Sequence, residues 1–195
     1  MPICFLLSIF FLAVLFAVKL LYLLTTGWAL RVTRGALFIP TPYMRIKTFL
    51  DAIPMSSQNL IVDLGCGDGR VLKAARKRYG VKTLGFEINP FAYITAKLRN
   101  LGDKGIKIKW RDFWKEDISD ATVVFCYLFP DVMKRIAQKL EAELNPGTWV
   151  VSCNFPIPGW HAKKVLHPDS HIHGDPIFIY QLPNSCPLSE RPINL

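Results

Sequence analysis

Apolar residues fill the first part of the chain almost without a break. Between Ile3 and Leu24 the only charged residue is Lys19, and this stretch has roughly the 20 residues that span a bilayer core. A cleaved signal peptide begins with a positive region, but no Lys or Arg precedes this run. We therefore predict a retained transmembrane helix over residues 1–30, with a cleaved signal peptide as the alternative.

The basic residues near the end of the apolar run set its expected orientation. Lys19 lies towards the C-terminal end of the run, and Arg31 and Arg34 follow it. The positive-inside rule then places the N-terminus outside. We predict a single-pass membrane protein whose folded domain, residues 31–195, lies on the cytoplasmic side, or on the matrix side of a mitochondrion.

Short apolar blocks alternate with segments of helical period through the rest of the chain. This order is typical of an α/β fold with a mainly parallel sheet. We predict seven strands, near residues 60–64, 81–87, 106–110, 121–128, 149–153, 163–166 and 177–181. No helix separates the last two strands, so we expect an antiparallel hairpin at one edge of the sheet, followed by an irregular tail.

Helical spacing predicts four helices before and between these strands. Thr41 is expected to cap the first of them, with Pro42 in its first turn, and Asp131 is expected to cap the last. The apolar face of the first helix is predicted to contain Met44, Ile46, Phe49, Leu50 and Ile53. Apolar residues of the helix that begins at Pro90 recur at i, i+3, i+7 and i+10: Phe91, Ile94, Leu98 and Leu101.

The formal net charge of +9 indicates what the domain contacts, and it does not alter the predicted fold. The basic residues are scattered, and no basic motif interleaved with aromatic residues stands out. We expect this charge to face an anionic lipid surface beside the anchor, and we expect no nucleic-acid partner. A solvated basic surface without a partner is the alternative.

A glycine-rich turn follows the first predicted strand. Asp63 precedes a G-x-G-x-G pattern formed by Gly65, Gly67 and Gly69, and glycines let the backbone turn sharply and approach a ligand closely. The helix that follows offers free N–H groups to an anionic phosphate or carboxylate. The third glycine comes one residue too early for the dinucleotide fingerprint, and the phosphate loop G-x-x-x-x-G-K-[ST] is absent. A tight turn that binds no ligand is the alternative.

The acid and its G-x-G-x-G turn resemble the first motif of class I S-adenosylmethionine-dependent methyltransferases, which have a Rossmann-like seven-stranded sheet. The resemblance implies that the turn holds the methionine part of S-adenosylmethionine. Glu87, roughly 20 residues further on, is expected to bind the ribose hydroxyls. Asp112 and Phe113 match the acid and apolar residue that contact adenine in that class, although Asp112 could instead cap the next turn. The implied cofactor-binding residues are Tyr43, Asp63, Gly65, Cys66, Gly67, Asp68, Gly69, Glu87, Ile88, Asn89, Asp112 and Phe113.

Four segments together resemble a narrower family. Residues 38–42, 63–69, 112–114 and 153–160 are similar to the protein-lysine methyltransferases that act on mitochondrial adenine nucleotide translocase and on the c-ring protein of ATP synthase, and to their prokaryotic relatives. The resemblance implies methylation of a lysine side chain, with a membrane protein as the expected substrate. The attacking amine must be neutral, which a desolvated aromatic slot favours. Besides Tyr43, the residues expected to line this slot are Tyr127, Phe129, Asn154 and Phe155.

Other acceptors and other uses of the fold stay open at this stage. Methylation of a lipid-soluble small molecule is one alternative, and a non-catalytic membrane-bound module of the same fold is another. The segment after the fourth strand has no Asp/Asn-Pro-Pro-aromatic motif, which argues against methylation of nucleic-acid bases. No residue stands out as a general base.

Metal and disulfide chemistry are not predicted. The five cysteines include no C-x-x-C pair, and Cys66 is interpreted as a small packing residue of the turn. Asp169, His171 and His173 could form a metal site, but a hydrated turn is the preferred interpretation of this segment.

Overall fold

The structure is a computed structural model that describes residues 2–32, 39–168 and 174–182. Within these ranges the helices are α1 (Pro2–Val32), α2 (Tyr43–Ala52), α3 (Arg70–Tyr79), α4 (Pro90–Arg99) and α5 (Pro130–Glu143). The strands are β1 (Leu60–Leu64), β2 (Lys82–Glu87), β3 (Ile106–Trp110), β4 (Val123–Cys126), β5 (Trp149–Cys153), β6 (Lys164–Leu166) and β7 (Ile177–Gln181). The predictions for Arg34, residue 38, Asp169, His171, His173, Cys186 and the tail beyond residue 182 lie outside the described residues.

The seven strands form one sheet in the order β3-β2-β1-β4-β5-β7-β6. Strands β1 to β5 are parallel to their neighbours, whereas β7 is antiparallel to both β5 and β6. The predicted seven-stranded α/β sheet with an antiparallel C-terminal hairpin is therefore confirmed. The parallel arrangement also brings the carboxyl ends of β1, β2, β4 and β5 to the same edge, where ligands bind in open α/β sheets.

Two hydrophobic cores flank the sheet. On one face α2, α3 and α4 cover the strands, and Phe49 of α2 packs on Phe125 of β4 with ring centroids 4.9 Å apart. On the other face α5 contributes buried Met133, Ile136 and Leu140. Strands β1 and β4 are buried almost throughout, as expected for central strands that are covered on both faces.

Helix α2 differs from its prediction at the start and on its buried face. Pro42, not Thr41, precedes the first helical residue, and no side chain caps the helix. The Pro42 carbonyl instead accepts the N–H groups of Arg45 and Ile46, at 3.1 and 3.2 Å. Met44, predicted on the apolar face, is 46% exposed, whereas Arg45 is only 1% exposed. The guanidinium of Arg45 tolerates burial because it meets the polar partners described below.

Helix α5 starts two residues earlier than predicted. Phe129 precedes the helix, Pro130 is its first residue, and Asp131 lies in the first turn without acting as a side-chain cap. The fixed φ of proline suits the first helical position, so Pro130 takes it and shifts the helix start.

Helix α4 does not pack its large apolar residues on the sheet. Ala92 and Ala96 are its buried residues, and their small side chains let the helix backbone approach the sheet closely. The larger apolar residues point away from the sheet, with exposed fractions of 45, 54, 68 and 83%: Phe91, Ile94, Leu98 and Leu101. The apolar spacing therefore marks an exposed face of α4.

Helix α1 lies outside both cores. Its segment Ile3–Gly27 is long and apolar enough to cross a membrane, judged by length and composition, and none of that window is buried in the rest of the chain. Near the end of this segment Tyr22 packs edge-to-face on Phe91 at the start of α4, with ring centroids 5.0 Å apart. This contact joins the apolar helix to the domain.

Candidate active site

The glycine turn after β1 has the backbone that its sequence predicts. Gly65, Gly67 and Gly69 have φ values of +87°, +55° and +73°, a region that residues with a Cβ rarely adopt. The N–H groups of Gly65 and Cys66 donate to the Phe86 carbonyl of β2 at 3.1 and 2.9 Å. The turn is therefore held against the end of the neighbouring strand.

Glu87 lies beside this turn, as predicted. Its Oε2 accepts the Gly67 N–H at 2.8 Å, and its Oε1 accepts the N–H groups of Ile88 and Asn89 at 2.8 and 2.7 Å. Burial raises the pKa of Glu87, while these backbone hydrogen bonds act to lower it. Because an ionised carboxylate has about four acceptor positions, Oε2 can accept a further hydrogen bond from a bound hydroxyl.

Asp63 is a buried acid next to the turn. It is 2% exposed near the end of β1. Burial raises its pKa well above the usual value, and the nearby charges of Glu87 and Asp68 raise it further. A positively charged ligand group at this edge would relieve that repulsion.

Asp68 is engaged by arginines. Its carboxylate accepts Arg70 Nε at 2.9 Å and Arg70 Nη2 at 2.7 Å, and Arg99 Nη2 of α4 lies 3.1 Å from Oδ2. Burial acts to raise the pKa of Asp68, but the hydrogen bonds and charge of Arg70 and the charge of Arg99 outweigh it and lower this pKa. The side chain thus ties the turn to α3 and α4.

Cys66 fits the packing role that its sequence suggested. A Cβ at Gly85 of β2 would lie 2.6 Å from its Sγ, so the thiol fills space that only a glycine leaves open. Burial raises the pKa of Cys66 well above its usual value. Burial also raises the pKa values of Cys126 and Cys153 to about 12. These three thiols are neutral near pH 7.

Asp112 and Phe113 follow β3 next to the end of β2. The N–H of Arg111 donates to the Glu87 carbonyl at 3.2 Å, which places the Asp112 segment beside Glu87. Oδ1 of Asp112 accepts the Trp114 N–H at 3.1 Å and begins a short 3-10 helix. The predicted capping alternative is therefore realised at Oδ1. Phe113 is half-buried against Trp114.

The segments after β4 and β5 bring Tyr127 and Asn154 together. Asn154 Nδ2 donates to the Tyr127 hydroxyl at 3.2 Å. Asn154 has a φ of +70°, unusual for a residue with a side chain, and its N–H donates to the Pro176 carbonyl at 2.9 Å. Its Oδ1 is buried and has no hydrogen-bond partner within the described residues. An orphaned buried acceptor of this kind suits a ligand that brings a donor.

The other predicted slot residues take different positions. Phe129 and Phe155 are half-buried in the same two segments, and Leu128 packs towards Gly65, with its Cδ2 3.7 Å from where a Cβ would lie. The segment after β4 therefore approaches the glycine turn through Leu128. Tyr43 is 69% exposed and lines a groove between α2 and α3 with Lys77 and others. No hydrogen bond or aromatic contact within the described residues joins it to Tyr127 or Asn154.

Residues 63–164, just over half of the chain, match the family model of the ANTKMT methyltransferase domain. The chain belongs to this family. A protein-lysine N-methyltransferase of Saccharolobus islandicus is 36% identical over 148 residues, which cover 73% of this chain and 91% of that protein. The adenine nucleotide translocase lysine N-methyltransferase of Mus musculus is 31% identical over 153 residues, or 72% of this chain and 66% of that protein.

A solved structure supports the cofactor assignment for this ANTKMT-family chain. An RNA methyltransferase from Salinibacter ruber in complex with S-adenosyl-L-homocysteine superposes with a TM-score of 0.71 and 29% identity, covering 77% of this chain and 97% of that one. S-adenosylhomocysteine is what remains of S-adenosylmethionine after methyl transfer. The chain is a methyltransferase that uses S-adenosylmethionine. It spans just under two thirds of the mouse relative's length.

The sequence did not single out Arg45, which lies against Tyr127 in the structure. Its Cζ lies 5.4 Å from the centroid of the Tyr127 ring. Its Nη1 is 3.3 Å from Asp175 Oδ2 and its Nη2 donates to the Pro176 carbonyl at 3.2 Å. Its Nε is buried without a partner in the described part of the chain. The spacing of four residues from Arg45 to Phe49 placed both on one face of α2 and could have revealed it.

Proposed function

We propose that this chain is a membrane-anchored methyltransferase that transfers a methyl group from S-adenosylmethionine to a lysine side chain of a membrane protein. The observation that carries the proposal is the buried, unpartnered Oδ1 of Asn154. Asn154 bonds Tyr127, whose segment approaches the glycine turn through Leu128. The names of the relatives support the acceptor class, because they are lysine methyltransferases from an archaeon and from a vertebrate.

The residues around the glycine turn fit S-adenosylmethionine. Oε2 of Glu87 retains acceptor capacity for a ribose hydroxyl, and the repulsion around buried Asp63 favours a cationic ligand. We assign Asp112 and Phe113 to the adenine, because their segment lies next to the end of β2. We assign Asp68, Ile88 and Asn89 to shaping the turn, because their polar groups already bond within the protein. The remaining members of the proposed cofactor set are Tyr43, Gly65, Cys66, Gly67 and Gly69.

The acceptor slot is suited to a neutral amine. When bound, S-adenosylmethionine supplies a methyl group on a sulfonium, so little acid–base help is required. Tyr127, Phe129 and Phe155 exclude water from the amine, and the buried Arg45 guanidinium against Tyr127 disfavours a second positive charge. Oδ1 of Asn154 can accept an N–H of that amine and so orient its lone pair. The slot therefore holds a deprotonated lysine in a fixed direction.

Membrane anchoring is supported by α1 and by two relatives that are named for their substrates. The Ile3–Gly27 segment could cross a bilayer. One relative is named for adenine nucleotide translocase. A lysine N-methyltransferase of Xenopus laevis that is named for ATP synthase is 31% identical over 152 residues, or 74% of this chain and 63% of that protein. A tethered enzyme would meet such substrates in the plane of the membrane.

The proposal is tested with the full chain, native membranes and S-adenosylmethionine carrying a labelled methyl group. Protein, lipid and RNA fractions are separated after the reaction, and we expect the label in protein, as methylated lysine after hydrolysis. Asn154→Ala should lose most of this transfer while still binding S-adenosylmethionine in calorimetry. Asn145→Ala is the matched control, because Asn145 is exposed and its side chain bonds only the Ser119 carbonyl among the described residues.

Two other outcomes would replace the proposed acceptor. Label only in the lipid fraction would indicate a lipid-soluble small molecule as substrate. Label in RNA would indicate the activity for which the Salinibacter neighbour is named. Absence of calorimetric binding by the unaltered chain would favour a non-catalytic module of the same fold.

A further inference from the structure

The exposed face of α4 carries an apolar stripe that the folded domain leaves uncovered. Phe91, Ile94 and Leu98 fall within about 60° of arc at 100° per residue, and Leu101 continues the stripe in the turn after the helix. Their exposed fractions rise from 45% at Phe91 to 83% at Leu101. A contiguous apolar surface of this kind marks a contact with a membrane or another macromolecule.

Positive charge and an aromatic side chain border the stripe. Lys97 in α4 and Lys104 in the turn after it are exposed, and α4 itself contains no acidic residue. The nearest acids in sequence are engaged, since Glu87 accepts three backbone N–H groups and Asp103 pairs with Arg76. Asp68, which contacts α4 in space, pairs with Arg99. The surface around the stripe is therefore positive, which complements anionic lipid headgroups.

Trp110 extends the same border from β3. It is 52% exposed and stacks on Tyr93 of α4, with ring centroids 6.2 Å apart. Its indole N–H donates to the Ile88 carbonyl at 2.9 Å, just before α4 begins. Half-exposed tryptophans with a satisfied N–H are favoured at the level of lipid headgroups.

The contact between α1 and α4 places the stripe at the height of a bilayer surface. Tyr22 lies five residues before the end of the Ile3–Gly27 segment, which is about 8 Å along a helix. A tyrosine at that depth lies in the interfacial region when the segment spans the membrane. Because Tyr22 packs on Phe91, the start of α4 lies at the same depth.

We propose that α4 rests on the inner bilayer surface, with its apolar stripe among the lipids and with Lys97 and Lys104 against anionic headgroups. This proposal rests on the membrane anchoring by α1 proposed above. Helix α4 begins three residues after Glu87, so the bilayer would hold the cofactor-binding edge of the sheet close to the membrane surface. Lysines of membrane proteins near that surface are then the substrates within reach.

The depth of α4 is measured in the full chain reconstituted into vesicles. Cys4 and Cys186 are replaced by Ser, and the buried Cys66, Cys126 and Cys153 are kept. An environment-sensitive fluorophore is attached in separate variants at Leu98→Cys and Val165→Cys. Val165 is the matched control, because it is a 45% exposed apolar residue on β6, at the opposite edge of the sheet from β3.

We expect lipids that carry a quencher in their acyl chains to remove most of the fluorescence at position 98 and little at position 165. The quenching at 98 should be stronger in phosphatidylcholine vesicles that contain phosphatidylserine than in phosphatidylcholine alone. Lys97→Glu with Lys104→Glu should remove that difference. Lys134→Glu, a reversal of an exposed lysine on α5, should not.

Three results would overturn the proposal. Equal, weak quenching at both positions in a chain that still floats with the vesicles means that α4 does not touch lipid. A fluorophore at 98 that is shielded in detergent in a concentration-dependent way means that a second copy covers the stripe. A chain that does not float overturns the anchoring itself, and this outcome is separate from the first two.

Discussion

At the scale of single residues, the site holds groups in states that the fold alone does not favour. Asn154 keeps a left-handed backbone and an orphaned amide oxygen, and such strain is of order 1 kcal/mol or more for a residue other than glycine. Asp63 is an acid whose surroundings oppose its ionised form. Arg45 is a cation in the core of α2. We expect a bound ligand to stabilise each of these three groups.

The raised pKa of Asp63 predicts a pH-dependent stability. Burial, then Glu87 and Asp68, raise this pKa in the folded chain, so the folded chain keeps the proton to higher pH than the unfolded one. The stability linked to it is full below the unfolded pKa, about 3.9, and is lost as pH rises through the folded pKa. The free energy of unfolding, measured with urea, should therefore fall less with rising pH in Asp63→Asn than in the unaltered chain. Asp51→Asn, which alters an exposed ion pair, is the control, and the dependence of its free energy of unfolding on pH should match that of the unaltered chain.

The charge of Arg45 predicts the pH profile of methyl transfer. Arg45→Met keeps most of the volume but removes the cation beside Tyr127, so the acceptor lysine should lose its proton less readily. We expect kcat to fall at neutral pH and to recover as pH rises, so that the whole pH profile of kcat moves to higher pH. Arg78→Met alters an exposed arginine that pairs with Asp51 and should keep the original profile. A uniform loss at all pH values for Arg45→Met would indicate a purely structural role.

At the scale of elements, the sequence predicted every strand but not every packed face. Branched apolar runs identify β1 and β4 because both faces of a central strand are covered. The glycine turn and Glu87 were also predictable, because their spacing reflects the local geometry of one βαβ unit. Periodicity failed for α4, where alanines pack and larger residues face outwards. The spacing from Phe49 indicated that Arg45 lies on the buried face of α2, but its partners there, Asp175 and Pro176, are remote in sequence and could not be predicted.

The inverted packing of α4 predicts opposite effects from two substitutions. Ala96 is fully buried, and its Cβ lies 3.4 Å from where a Cβ of Gly69 would be. Ala96→Leu should overpack this contact and lower the free energy of unfolding by about 1–3 kcal/mol. Leu98→Ala removes a residue that is 68% exposed and should change that free energy by less than about 0.5 kcal/mol. Urea unfolding in detergent measures both, and the reverse ranking would contradict the orientation of α4.

At the scale of the whole molecule, the chain combines an apolar helix with a basic α/β domain. The net charge is +9, and α1 meets the domain at the start of α4. Neither the side of the membrane nor the depth of the domain follows from the fold of the sheet. The orientation was instead expected from Lys19, Arg31 and Arg34 through the positive-inside rule.

That orientation is checked by proteolysis of sealed, right-side-out vesicles that contain the full chain. Residues 39–182 should resist an external protease until detergent opens the vesicles, because the domain is expected on the inside. Detection of intact chain with an antibody against the domain gives the readout. Cleavage of the domain in sealed vesicles would show the opposite orientation.

Hydrogen bonds and ion pairs within the protein fix the conformation of the glycine turn. Phe86 holds Gly65 and Cys66, Glu87 holds Gly67, and two arginines hold Asp68. A receptor preorganised in this way loses little conformational entropy when its ligand arrives. We therefore expect the calorimetric heat-capacity change for S-adenosylmethionine to reflect the apolar area that the nucleoside buries, with no added contribution from a loop that folds around it.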